Sequence, residues 1–397
     1  MKIAIIGCGP AGLAAALMLN DDGHDIVLFE RFESARPVGS GIILQPTGLA
    51  VLDALGLNEE VHQLGKRIDR MHGVSMPAGK EVLNVSYDAL GEESHGVAIH
   101  RAGLFDALYA AVQAQKLEIR TGIDVADAAI DGHQIHLTDD SGERFDDFDL
   151  LVDASGARTR LQDLSPYVTQ RRELSYGALW GSFDWPDTGF EANILNQRYV
   201  GAHTMVGVLP IGRHFGAERD QVAFFWSIKT RAYDQWLSEG LDRWKEKVHA
   251  IWPETDVILD QITDSSQMAL ARYGHSTMRQ PFGDRIVYLG DAAHSTSPQL
   301  GQGANMALLD AWSLTEAMRK NEDIETACRA YAKSRRWHVR AFQLSSLALT
   351  PFYQSDSRVL AGLRDLLFLP VSKLPVARRV VAGLISGMLG GPPKGLI

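Results

Sequence analysis

Apolar positions along the chain fall into two kinds of run. Lys2 to Ile6 is short and almost unbroken, as in a strand buried on both faces, and it passes through a glycine turn into an Ala/Leu-rich helical segment. Asp25 to Phe29, the DLLVDA run from Asp149 to Ala154, and Arg285 to Leu289 repeat the same short pattern. Leu117 to Thr121, Val125 to Ala129 and Ile135 to Leu137 read as further strands. Such runs separated by helical patterns predict an α/β fold around a parallel sheet. Helices are expected from Pro46 and Thr47 with Leu49, Leu52 and Leu55 on one side, and from His100-Arg101 with Leu104, Phe105 and Leu108. Further helices are expected from Ala232 to Ile251, closed by Pro253, and from near Ala304. Residues from about Ile68 to Val85 alternate like sheet. From about Thr169 the aromatics Trp180, Phe183, Trp185, Tyr199, Phe224, Phe225 and Trp226 fall in strand-like segments, predicting an antiparallel sheet as a second domain. The Leu/Val-rich tail from Thr350 reads as amphipathic helix docked on the body, or as a partner or membrane-surface contact.

The first turn carries chemistry. Gly7, Gly9 and Gly12 have the spacing G-x-G-x-x-G between strand and helix, with Pro10 and Ala11 at the helix start. Gly7 allows the tight turn, Gly9 leaves room for a pyrophosphate, and Gly12 lets helix and sheet pack closely. Glu30 ends the second strand, where a carboxylate can accept both hydroxyls of an adenosine ribose. This is a dinucleotide site, Rossmann-like in order and spacing. Whether it takes NAD or FAD stays open at this stretch.

Charge and cysteine content narrow the class. A formal net charge of −10 over 397 residues opposes a general nucleic-acid surface, because phosphate neutralisation needs clustered Lys and Arg. Two cysteines, Cys8 and Cys328, give no disulfide framework, and Cys8 inside the glycine turn reads as a packed residue. The opening residues lack the pattern of a secretion signal, and no apolar run reaches membrane-spanning length. A soluble, cytoplasmic protein without stable membrane insertion, monomeric or homodimeric, is expected.

Further cofactor candidates follow in chain order. Arg31 and Arg36 stand near the end of the second strand, and Gly39 and Gly41 flank Ser40 in a loop suited to close ligand approach. Arg101 at a helix start opposes the macrodipole unless an anion is near. Val125, at the start of a strand, is a further candidate, and Gly156 lies in a second strand-to-glycine turn. The strand ending at Leu289 delivers GDAAHSTSPQLGQGAN, in which Gly301, Gln302 and Gly303 precede a long helix whose free amides face any ligand there.

Together with GCGPAG and the turn after Asp153, this last motif resembles the class A flavin monooxygenases of the para-hydroxybenzoate hydroxylase fold, over roughly residues 1 to 345. The resemblance implies FAD as cofactor. Asp291 would bind the ribityl chain, Pro298 would lie beside the isoalloxazine, Gly301 and Gly303 would approach its N1/C2 edge, and Ala304 and Asn305 would also bind the cofactor. Glu30 would take the adenosine ribose, and Arg36 and Arg101 match arginines that touch the cofactor. The implied organisation is a discontinuous FAD-binding domain (1–72, 96–169, 272–345), a substrate-binding sheet domain (73–95, 170–271) and a C-terminal helical segment (346–397). The implied reaction is hydroxylation of an aromatic or N-heteroaromatic small molecule through a flavin C4a-hydroperoxide formed from O2, after reduction by NADH or NADPH.

One motif departs from the family. Its D-G-x-x-S-x-x-R turn aligns with Ser155 to Gln162, so the acid stands as Ser155 and the final arginine as Gln162, with Asp153 two residues early. This leaves the electron donor open, and with it a flavin oxidase, dehydrogenase or halogenase on the same fold. A non-catalytic flavin-binding protein docking through the tail is the reading from another class. His203 and Tyr199 are candidates for activating the substrate by proton transfer, with Pro298 and Gly303 beside the reacting ring. Gln45, Trp180, Met205 and Phe225 are candidates for the substrate pocket, and His294 for support of its loop.

Overall fold

The computed structural model describes residues 1–34, 40–91, 93–167, 171–186, 188–372, 374–389, 391 and 395–396. Its centre is a five-stranded parallel sheet in the order Ile286–Tyr288, Leu150–Asp153, Lys2–Ile6, Asp25–Glu30 and Glu118–Thr121. Ile6 stands beside both Asp153 and Phe29, and Asp153 beside Tyr288, so the strands end level with one another. Three ligand-facing turns, after Ile6, Asp153 and Leu289, therefore open on one edge, which is where open α/β sheets bind ligands.

One face of this sheet is covered by helices Pro10–Asp21, Arg101–Ala114 and Gly303–Lys320, through Leu13, Leu17, Leu104, Leu108, Leu308 and Leu314. The other face packs Phe29 against Phe145 and Phe148 of a three-stranded antiparallel sheet (Val125–Asp131, Gln134–Asp139, Arg144–Phe148). Burial on both faces explains the unbroken apolar runs in the central strands.

A seven-stranded sheet, in the order Ala269–Ser276, Arg171–Asp184, Gln221–Lys229, Thr204–Gly212, Ile194–Val200, Arg70–Ser75 and Lys80–Ser86, forms the second layer. All neighbours are antiparallel except the parallel pair Ile194–Val200 and Arg70–Ser75. Side chains alternate across it. Phe224 and Trp226 pack with Trp236, Trp244 and Trp252 of the flanking helices, whereas Phe225, Tyr199 and Met205 point to the opposite face. The expected domain limits at 72/73 and 271/272 fall inside Arg70–Ser75 and Ala269–Ser276, so each of these strands runs across a limit.

Two helical expectations need correction. The helix expected from Ala232 to Ile251 is two, Tyr233–Glu239 and Leu241–Ile251, because Gly240 at φ +82° turns the chain between them. The C-terminal segment does not begin at 346, since Ile324–Tyr353 is one helix. Two further helices, Arg358–Ser372 and Pro375–Ile385, follow and fold back over the seam between the layers. Among the described residues, no helix is long and apolar enough to cross a membrane.

Candidate active site

The three glycines of the first turn perform separable steric tasks. Gly7 lies at φ +96°, and a methyl group there would meet the Ala154 carbonyl oxygen at 2.6 Å. A methyl group on Gly12 would sit 1.9 Å from the Gly7 oxygen, whereas one on Gly9 would find nothing within 4 Å. Gly9 is thus the open floor of the cradle, and the other two hold its shape. Glu30, nearly buried, accepts the Cys8 N–H at 2.9 Å and the Phe32 N–H at 3.2 Å, which fixes its carboxylate at the cradle's rim. Burial, then Glu30, pushes the Cys8 thiol up to about 12, so it stays protonated as a packing residue.

The middle turn reveals where the displaced acid goes. Asp153 is wholly buried, and its Oδ1 accepts from the Ser155 N–H at 3.0 Å and the Ser155 hydroxyl at 2.6 Å. Its Oδ2 accepts from the Thr159 hydroxyl. Burial raises the Asp153 pKa, and these hydrogen bonds oppose the rise. Gly156, at φ +87° with open space where a side chain would be, continues the turn towards the first glycine loop.

Asp291 follows Gly290 just after strand Ile286–Tyr288 and lines a cavity of about 1360 Å³. Enclosure in the protein raises its pKa, against the pull of His294 and Arg101. Arg101 lines the same cavity, and its backbone N–H donates to the Ser40 carbonyl at 2.9 Å. Pro298–Leu300 forms a single 3₁₀ turn, Gly301 adopts φ +61°, and helix Gly303–Lys320 starts without a side-chain cap, its first amides facing the cavity. These uncapped N–H groups and the helix dipole form a fixed positive terminus.

The opposite wall is aromatic. Trp180 and Phe225 stack at 4.5 Å between centroids with 29° between planes, and Trp180 Nε1 donates to the Tyr273 hydroxyl at 2.8 Å. Tyr199 and Met205 complete this side, and Tyr353, Leu384 and Ile385 of the C-terminal helices close it. Behind the helix terminus lies a buried charge chain. Gly290 N–H and His294 Nε2 donate to Asp310 Oδ2 at 2.8 and 2.6 Å, and Arg335 Nε donates to Oδ1 at 2.7 Å. Burial alone would raise Asp310, but His294 and Arg335 outweigh it and hold the carboxyl at about 2.

Residues 1–342 match the protein family described as FAD binding domain. The chain belongs to that family. Its curated relatives include 3-amino-4-hydroxybenzoate 2-monooxygenase of Streptomyces cremeus, 29% identical over 79% of this chain and 77% of the relative. A FAD-dependent urate hydroxylase of Mycolicibacterium vanbaalenii is 26% identical over 99% of this chain and 98% of the relative. Among solved structures, Klebsiella pneumoniae HpxO complexed with FAD and uric acid superposes with a TM-score of 0.83 at 22% identity, covering 99% of this chain and 97% of that one. The chain is an FAD-dependent monooxygenase.

The residues present fit FAD. The floor at Gly9 is clear, the Glu30 carboxylate stands at the rim, Asp291 offers a carboxyl inside the cavity, and the uncapped helix amides offer positive potential. Gly7, Gly9, Pro10, Ala11, Gly12, Glu30, Gly156 and Asp291 gather along the ends of the parallel strands, with Arg101, Pro298, Gly301, Gly303 and Ala304 along the cavity. Gly41 also lines it, at a point where a methyl group would meet Ile211 at 2.5 Å.

Of the other expected positions, some sit elsewhere and one is not described. Arg31 is exposed, its guanidinium 4.8 Å from the Phe32 ring, and Arg36 lies outside the described residues. Val125 is buried in the core beneath the sheet, because its strand begins there with an inward-facing position. Asn305 spends its carboxamide inside the protein, accepting from Gln45 N–H at 2.8 Å and donating to the Ile43 and Gly301 carbonyls at 3.1 Å. Gln45 is not in the substrate wall. Its Oε1 accepts from Tyr87 at 2.6 Å, while Nε2 has no partner among the described residues and lies beside Gly301, on the cofactor side. His203 is exposed on the turn after Val200, hydrogen-bonded to Thr204 at 2.8 Å and away from the cavity, because Gly201 at φ +57° reverses the chain before it. Sequence reasoning missed Gln197, Tyr353 and Gln354. The polar series Ser346, Thr350 and Gln354 in an otherwise mixed helix was the available signal.

Proposed function

We propose that this monooxygenase places one oxygen atom of O2 on a planar aromatic or N-heteroaromatic small molecule, with NADH or NADPH as electron donor. The balance is substrate, O2, NAD(P)H and one proton giving hydroxylated substrate, NAD(P)+ and water. The observation that carries this reading is that the Pro298–Ala304 loop and the Trp180–Phe225 stack border one cavity. Named relatives act on an aminohydroxybenzoate and on urate, both planar rings.

Bound FAD would supply the redox and oxygen chemistry. Gly9, Glu30 and Asp291 would hold it, and the amides at the start of Gly303–Lys320 would stabilise negative charge on its ring. The aromatic wall would orient the substrate ring, and the C-terminal helices would exclude water. Burial raises the Tyr199 pKa well above the usual range, so its hydroxyl keeps its proton and donates to Gln197 Oε1 at 2.8 Å. Tyr199 therefore positions Gln197 in the cavity wall and does not act as a base.

Purified protein loaded with FAD should oxidise NAD(P)H faster when an aromatic ligand is added, and 18O2 should label the product. Oxidation that yields only peroxide across a broad panel of phenols and N-heteroaromatics would favour an oxidase and sink the proposal.

A further inference from the structure

Ser346, Thr350 and Gln354 follow one another at four-residue spacing, on one face at the end of helix Ile324–Tyr353. The Ser346 and Thr350 hydroxyls meet Ser297 Oγ at 2.8 and 2.7 Å, directly before Pro298. Gln354 is the next position, its backbone N–H still bonded to Thr350 O at 2.8 Å. It lines the cavity, the residue is only 6% exposed, and neither Oε1 nor Nε2 has a partner among the described residues. A buried carboxamide with both ends unsatisfied is costly, and such groups are found paired in the working state of a protein.

The surroundings define the ligand's charge. Arg364, on the following helix, is fully buried: Nε donates to Asp365 at 2.8 Å and Nη1 to Phe352 O at 3.2 Å, Nη2 stands 2.6 Å from Asp365, and Tyr199 and Tyr353 lie on its faces. Asp365 in turn accepts from Ser75 at 2.5 Å. The cavity's own arginines, Arg101, Arg158, Arg171 and Arg272, belong to the cofactor turns and to the strand pair at the sheet edge. The C-terminal helices contribute Leu349, Tyr353, Leu367 and Phe368 to the same cavity. A neutral donor and acceptor pair matches the neutral carboxamide.

We propose that Gln354 is a specificity-determining residue that reads the substrate by a paired hydrogen bond, with Oε1 accepting from a ring N–H and Nε2 donating to the adjacent ring carbonyl. The substrate class is a neutral N-heteroaromatic with a lactam edge. This rests on the monooxygenase reading above and narrows its substrate. A carboxylate would leave Oε1 facing like charge, and a simple phenol would satisfy one end only.

The test titrates the full-length, FAD-loaded protein with 2-pyridone, N-methyl-2-pyridone, phenol and 2-aminopyridine, following the perturbation of the flavin absorption spectrum. Wild type should bind 2-pyridone about tenfold or more tighter than N-methyl-2-pyridone or phenol. Gln354→Leu should erase that difference while leaving phenol affinity unchanged. Gln354→Glu should lose 2-pyridone and gain 2-aminopyridinium, which presents two donors to a carboxylate; a merely structural side chain would not produce this switch. Wild type that binds no lactam, or binds lactam and phenol equally, overturns the proposal. So does a Gln354→Glu enzyme with intact flavin content and unchanged ranking, which covers the case of a misfolded leucine variant. Because the titration needs only bound FAD, a failure of turnover would count against the monooxygenase reading and leave this result legible.

Discussion

His338 Nε2 donates to the carbonyl oxygen of Gly387 at 2.7 Å, tying the C-terminal helices to the charge chain behind the cofactor loop. Arg335 Nη1 donates to the other ring nitrogen at 2.8 Å, and a guanidinium has no acceptor. The ring is therefore neutral with its proton on Nε2. Burial, then Arg335, lowers its pKa from 6.5 to about 4.

Acid stability follows from that ring. Between about pH 6.5 and 4 the unfolded chain protonates His338 and the folded chain does not, so stability is full above this window and falls as pH drops through it. His100, also lowered to about 4 by burial and His214, acts in the same direction. For His338 the loss amounts to as much as about 3 kcal/mol. Urea melts from pH 8 to pH 4 should show this loss, and His338→Gln should flatten it; equal slopes for both proteins would refute the assignment.

Asp310 should be the least replaceable side chain of the chain behind the loop. Asp310→Asn leaves Arg335 buried without its counter-charge and should cost about 3–5 kcal/mol in chemical denaturation. A loss under about 1 kcal/mol would show that the network is not under strain when the charge is removed.

Gly9 and Gly12 should fail differently. Gly9→Val projects into open space, so the apoprotein should melt like wild type while FAD affinity falls at least about tenfold. Gly12→Val collides with the Gly7 carbonyl and should lower the melting temperature itself, by an overpacking cost of about 1–3 kcal/mol or more. Thermal melts with and without FAD separate the two.

Removing the segment after Ser355 strips Leu384 and Ile385 from the cavity wall, together with the bonds from Gln302 and Thr47 to the Ile385 and Ser386 carbonyls. FAD should still bind through the distant glycine turn, while aromatic ligand affinity weakens and peroxide release rises. Unchanged ligand affinity would assign the tail to something other than shielding.

The glycine turns and strand ends were legible because their requirements are local: a positive φ or a missing side chain is demanded by the turn itself. The sheet character of the aromatic segments was also legible, since strands alternate between two faces. What alternation cannot tell is which face meets the cavity, and His203 was misjudged because a single turn residue, Gly201, carries it off the strand. Gln45 has a strong local context, yet its orientation is set by Tyr87 and Asn305, 42 and 260 positions away. The tail's role was hidden for the same reason: an apolar helix face announces burial, not its counterpart.

The contact between Asp153 and Ser155 also constrains how such a turn can change over time. Moving the carboxylate from the family's position to this one requires two substitutions flanking Ala154, and either order passes through a turn with two acids in mutual repulsion or with none. Reverting one position alone, by Ser155→Asp, should be more damaging than exchanging both.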